Sequence, residues 1–202
     1  MTMDFYFDYS SPYGYLASER IEAIANRHGR QVRWCPVLLG AIFKVTGSAP
    51  LTEYPMKGAY ALHDFNRAAR EHKIDYVHPA QFPIATVAAA RATLWVREQS
   101  TPDSAQQTAL LVHALYRGFY ADSRPINDAE TVLAIAGEVG LDTAALEQGM
   151  GSSDIKDRLR HDIEAAIALG VFGSPTINID GELFWGSDRL EQIDRWLTIG
   201  GW

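Results

Sequence analysis

The chain has 202 residues, of which 47% are hydrophobic and one is cysteine, and it carries a formal net charge of −7. That length and apolar content bury a sizeable core without metals, and a single thiol excludes an intramolecular disulfide. The acidic balance excludes a nucleic-acid surface, which needs a basic stripe to neutralise phosphates, and no apolar run approaches the ~20 residues of a membrane-spanning helix.

Met1-Thr2-Met3-Asp4 has no positively charged leader, so a soluble cytoplasmic protein is expected. Residues 3–8, Met3-Asp4-Phe5-Tyr6-Phe7-Asp8, read as a strand. Ser11-Pro12-Tyr13-Gly14 then opens a helix over 12–28, because serine is a favoured N-cap, proline a favoured first helical residue, and Gly29 a good C-terminal stop. Residues 31–37 read as a second strand, and Cys35 within it as a small buried apolar side chain.

From Leu38 to about Leu169 the sequence is helical and turn-rich, with helices expected over 57–72, 84–99, 104–120, 128–138, 142–149 and 153–168. Leu111, Leu115 and Phe119 recur at spacing four, as do Ile155, Leu159, Ile163 and Ile167, and both stripes predict faces turned to a core. His28, His63, His72, His78, His113 and His161 show no metal-ligand spacing, so no metal site is expected. Hydrolase and nucleotide-binding motifs are absent as well.

Period-two patterning returns at Thr176 to Asp180 and at Leu183 to Trp185, with Asp180-Gly181 as a hairpin signal between them. A closing helix is expected over 187–197. Pro175 stands at the head of the first of these strands, where its missing N–H is tolerated. A cis Ser174-Pro175 bond there would set a backbone edge beside the N-terminus of the first helix, open to a peptide-like ligand. Ser11 is then either a plain N-cap or a hydroxyl that joins the positive end of its helix in stabilising an anion such as a thiolate. Ser187-Asp188 allows the same two readings, capping or ligand contact.

Phe7-Asp8 with Ser11-Pro12-Tyr13, taken with Phe172-Gly173-Ser174-Pro175-Thr176 and Phe184-Trp185-Gly186-Ser187-Asp188-Arg189-Leu190, resembles the 2-hydroxychromene-2-carboxylate isomerases. These are relatives of the kappa-class glutathione transferases within the DsbA-like branch of the thioredoxin fold. The resemblance implies an α/β protein, a thioredoxin-like fold with a large all-helical insertion domain. Residues 1–37 and 170–202 would form the discontinuous thioredoxin-like domain, and residues 38–169 the insertion.

The resemblance also implies glutathione as the cofactor. Ser11 matches the serine that hydrogen-bonds the glutathione sulfur, and Lys57 a lysine near the glycyl carboxylate. Val171, Phe172 and Ser174, before Pro175, match the backbone that pairs with the cysteinyl unit. Ser187 and Asp188 match the positions that hold the γ-glutamyl end. Tyr13, Phe82, Pro83 and Arg91 would line the pocket of the second substrate, a small aromatic carboxylate. In kappa-class relatives an asparagine occupies the loop that here reads Thr46-Gly47-Ser48-Ala49-Pro50, so Ser48 departs from the pattern. The implied reaction is isomerisation to trans-o-hydroxybenzylidenepyruvate through a transient thiol adduct, in a homodimer. The alternatives are glutathione transfer or peroxide reduction of the kappa-class kind, and glutathione or peptide binding without catalysis.

Overall fold

The computed structural model describes all 202 residues. Strand β1 (Thr2–Phe7) buries Met3, Phe5 and Phe7 completely and lies in the middle of a four-stranded sheet. It pairs in parallel with β2 (Gln31–Pro36), placing Phe5 beside Trp34, and antiparallel with β3 (Thr176–Ile179), placing Phe5 beside Ile177. Strand β4 (Glu182–Trp185) pairs antiparallel with β3 at the edge, for an order β2-β1-β3-β4. A parallel pair needs a crossover, and helix α1 (Pro12–Arg27) supplies it. The β3–β4 hairpin turns through Asp180 and Gly181 at φ 54° and 99°, the left-handed pair that a tight hairpin requires.

Between β2 and β3 run α2 (Leu39–Thr46), α3 (Lys57–His72), α4 (Val87–Arg97), α5 (Ser104–Tyr120), α6 (Ala129–Glu138), α7 (Thr143–Gly151) and α8 (Ser153–Leu169). Helix α9 (Leu190–Ile199) closes the chain. Strands and helices fall within a few residues of the expected positions, with three differences. Helix α2 stands as a separate element inside the stretch read only as helical and turn-rich, stopped by Gly47 at φ 68°. Helix α4 begins at Val87 and not at 84, because the Ile84 N–H donates to Ser10 Oγ (3.3 Å) and the Thr86 hydroxyl to Asp8 (2.6 Å). The closing helix starts as a 3-10 turn, Ser187–Arg189, before α9 proper.

A cluster of 32 buried residues joins the sheet to the helices: Phe5, Phe7 and Trp34 meet Leu111, Leu115 and Tyr116 of α5. The α5 stripe therefore faces the sheet, and the α8 stripe packs in a second cluster with Val37, Ile42, Leu94 and Val171. The Trp34 ring stands edge-on to Phe5 at 5.1 Å and to His113 at 5.5 Å. No helix is long and apolar enough to cross a membrane.

His113 connects α5 to α1 through two carboxylates, Glu22 at 2.7 Å and Glu19 at 3.2 Å. Burial pulls its pKa down, but the two carboxylates outweigh burial and hold it at about 9. A histidine whose folded pKa lies above its unfolded value of 6.5 stabilises fully below 6.5, and that contribution is lost as pH rises through about 9. Thermal melts should therefore show wild type above His113→Gln at pH 6, with the gap closing by pH 10. A gap independent of pH would show that the imidazolium is not the species that ties the two helices.

Candidate functional site

The loop after β1 and the turn before β3 are 163 residues apart in the chain and are held together by a reciprocal pair of hydrogen bonds. The Ser11 hydroxyl donates to Ser174 O at 2.9 Å, and the Asp8 N–H donates to Ser174 Oγ at 3.0 Å. The Ser174–Pro175 bond is cis, as is Phe82–Pro83. Ser11, 5% exposed, also caps α1 by accepting the Gly14 N–H at 3.0 Å. Pro12 brings no N–H, and the Tyr15 N–H goes to Ser11 O, so Tyr13 carries the unpaired amide of the first turn, at the positive end of the helix. Gly14 is required by this closeness. A Cβ there would lie 2.5 Å from the Tyr116 hydroxyl oxygen and 3.1 Å from Ser174 Oγ.

Asp8 lies beneath the loop. Its carboxylate accepts from the Ser10 N–H (2.9 Å), the Leu39 N–H (2.7 Å) and the Thr86 hydroxyl (2.6 Å), and the Tyr116 hydroxyl donates to its backbone carbonyl (3.1 Å). Burial pushes the carboxyl up from its ordinary value, against the pull of those three bonds. One side chain thus ties the starts of α1, α2 and α4 to a single point.

On the prolyl side, the Val171 side chain is buried against α8 and its N–H caps that helix through Ala166 O (2.9 Å), so its N–H is committed. Phe172 is 48% exposed and stands 4.8 Å from Trp185, itself 53% exposed. Trp185 lies directly over Gly173, where a Cβ would sit 2.4 Å from its indole nitrogen. The two aromatic rings form a wall beside Ser174 that the sequence motif contains but that no periodic pattern marks.

On the other side, the Tyr13 hydroxyl donates to Asp64 of α3 at 2.5 Å and its ring packs edge-on to Phe65 at 4.9 Å. Burial, with Asp64 next, raises the Tyr13 pKa, and Asp188 in the turn beside α1 adds to this effect. Ser187 and Asp188 open that turn, with Arg189 3.2 Å from Asp188. Lys57 begins α3, seven residues before Asp64 and so about 10 Å away along the helix. Its ammonium lies 5.4 Å over the Tyr54 ring and has no carboxylate partner. The next residue, Gly58, packs on the Leu51–Glu53 turn so closely that a Cβ would meet Thr52 O at 2.5 Å. Phe82 lies against His78 at 4.9 Å, next to Pro83. Arg91 lies apart from these residues, in a cavity between α2, α4 and α8.

Cys35 is buried, and burial raises its thiol to about 11, so the chain holds no internal sulfur nucleophile at neutral pH. Asp8 and Trp185 lie within the sequence motifs but no spacing marks their roles, and Asp64, Thr86 and Tyr116 lie outside those motifs. A carboxylate ending an apolar strand was the available signal for Asp8. The other three act through contacts between distant segments.

The DSBA-like thioredoxin domain matches residues 2–198 of the chain. The sequence is 29% identical over 198 residues to the 2-hydroxychromene-2-carboxylate isomerase of Sphingobium xenophagum, covering 97% of each. It is 24% identical over 210 residues to glutathione S-transferase kappa 1 of Rattus norvegicus, covering 96% of this chain and 92% of the relative. A solved structure of a 2-hydroxychromene-2-carboxylate isomerase superposes with a TM-score of 0.85 at 25% identity, over 98% of this chain and 95% of that one.

Proposed function

Since the chain belongs to the DSBA-like thioredoxin domain family and opens α1 with a serine, we propose that it is a glutathione-dependent isomerase of 2-hydroxychromene-2-carboxylate or a related aromatic-degradation intermediate. The observation that carries this reading is the Ser11–Ser174 contact: a hydroxyl on the cap of a helix, bonded to the carbonyl that precedes Pro175. The surrounding donors fit an anionic thiol peptide, because the Tyr13 amide is unpaired and Lys57 has no carboxylate partner.

When bound, glutathione supplies a thiolate that adds reversibly to the substrate and permits rotation about the former double bond. The chain's own residues bind and orient. Ser11 turns its proton from Ser174 O toward the sulfur while its oxygen keeps the Gly14 N–H, so the cap survives ligand binding. Together with the helix end, this holds the thiol pKa below its ordinary value of about 8.5. Lys57 takes the glycyl carboxylate, Asp188 with Ser187 takes the γ-glutamyl end, and the backbone of Phe172 and Ser174 pairs with the cysteinyl unit. With the Val171 N–H committed to α8, that residue contributes its carbonyl. Tyr13, Phe82 and Pro83, with the Phe172–Trp185 wall, shape the space for the aromatic carboxylate.

The test is chromene isomerisation with and without glutathione. Turnover should require glutathione and leave its total amount unchanged. Glutathione consumed on chlorodinitrobenzene or a hydroperoxide, with no isomerisation, would replace this reading by the transferase-type activity named for the kappa relatives. Calorimetric binding of glutathione with no turnover on any of these substrates would reduce it to a binding role.

A further inference from the structure

A cavity of about 510 Å³ lies between α2, α4 and α8, within the size range of small-molecule sites. Its walls are apolar, formed among others by Leu38, Val45, Val87, Ile163 and Ile167, and it is also lined by Lys44, Arg91, Lys156 and Arg160, against a single acid, Glu164. This is unexpected in a chain of net charge −7. Most arginines of the protein are paired with carboxylates, and Arg160 is paired with Asp157 at 3.1 Å. Lys44, Arg91 and Lys156 have no such partner, and all three line this one cavity.

Arg91 gives the site its specificity. Its Nε is buried with no hydrogen-bond partner, an arrangement that costs free energy unless an acceptor is supplied. A guanidinium offers its donors as a planar fork that matches a carboxylate in two parallel bonds. The apolar walls favour a flat or branched hydrocarbon body over a small hydrated ion, and the unpartnered Arg91 Nε together with the excess of cations favours an anion. None of Ser11, Tyr13, Lys57, Phe82 and Ser174 lines the cavity, although at Leu38 and Val87 it adjoins the Leu39 N–H and the Thr86 hydroxyl, both bonded to Asp8.

We propose that the α2–α4–α8 cavity is a second binding site, for an aryl monocarboxylate whose carboxylate pairs with Arg91 and whose ring lies against Ile163 and Ile167. The assignment does not rest on the isomerase reading and stands whether or not the chain turns over a chromene.

The test is titration of the full-length protein with naphthoate, followed by calorimetry and by methyl NMR, beside the neutral naphthalenemethanol. The carboxylate should bind and shift the methyls of Val45, Ile163 and Ile167, and the alcohol should not. Arg91→Met keeps the apolar stem and should weaken binding roughly ten- to a hundredfold. The exposed pair Lys44→Ala with Lys156→Ala, which leaves the core untouched, should weaken it several-fold and keeps the test open if Arg91→Met folds poorly. Equal binding of the alcohol, affinity unchanged in either variant, or shifts confined to methyls beside Ser174 such as that of Thr176 would overturn the proposal.

Discussion

Ser11→Ala is expected to lower glutathione-dependent turnover roughly ten- to a thousandfold, the range typical of losing one positioned donor to a developing or resident anion. The substitution removes three things at once. It deletes the cap on Gly14 N–H, the bond to Ser174 O, and the hydroxyl proton available to a bound sulfur. The first two are structural, and N-cap loss costs about 1 kcal/mol, too little to unfold a domain of this size. The catalytic share is separated by following the ionisation of the bound thiol. If Ser11 holds the sulfur as a thiolate, the thiol pKa of the glutathione complex, read from its ultraviolet absorbance, should rise in the variant while the affinity for S-methylglutathione changes little. A variant that loses stability but keeps both turnover and the thiol pKa would reduce Ser11 to a helix cap.

The same residue shows what a sequence conveys and what it withholds. Ser11-Pro12 is readable as a helix start because capping is local: the hydroxyl and the amide it accepts are three residues apart. Helices 57–72 and 104–120 end where their periodicity ends, and Asp180-Gly181 marks its hairpin, for the same local reasons. Asp64, Thr86 and Tyr116 reach the site from 51, 78 and 108 residues away, and such contacts leave no period in the chain. The start of α4 differs from the expected position for this reason. Residues 84–86 carry a helical pattern, but the acceptors Ser10 and Asp8 compete for their hydrogen bonds and prevail. Arg91 illustrates the converse case. The family resemblance assigns it to one pocket with Tyr13, Phe82 and Pro83, whereas the packing of α4 on α8 sets it in the wall of the α2–α4–α8 cavity.

Asp8→Ala should be the most destabilising single change around the site, by about 3–5 kcal/mol in urea unfolding. The carboxylate is buried and accepts two backbone N–H groups and one hydroxyl, and truncation leaves all three donors without partners in a volume that water does not fill freely. The loss should exceed that of Thr86→Val, which deletes one of the three donors and keeps the shape, by a factor of about two or more. Because Ser10, Leu39 and Thr86 each stand at the head of a different helix, the damage should not stay local. Amide exchange should quicken together at the first turns of α1, α2 and α4, and turnover should fall through misplacement of Ser11 and Ser174 more than through any direct contact of Asp8 with substrate. An Asp8→Ala protein within 1 kcal/mol of wild type, with protection retained at those three helix starts, would mean that Tyr116 and the Asp8 N–H to Ser174 bond suffice to hold the site, and that the buried charge is incidental to it.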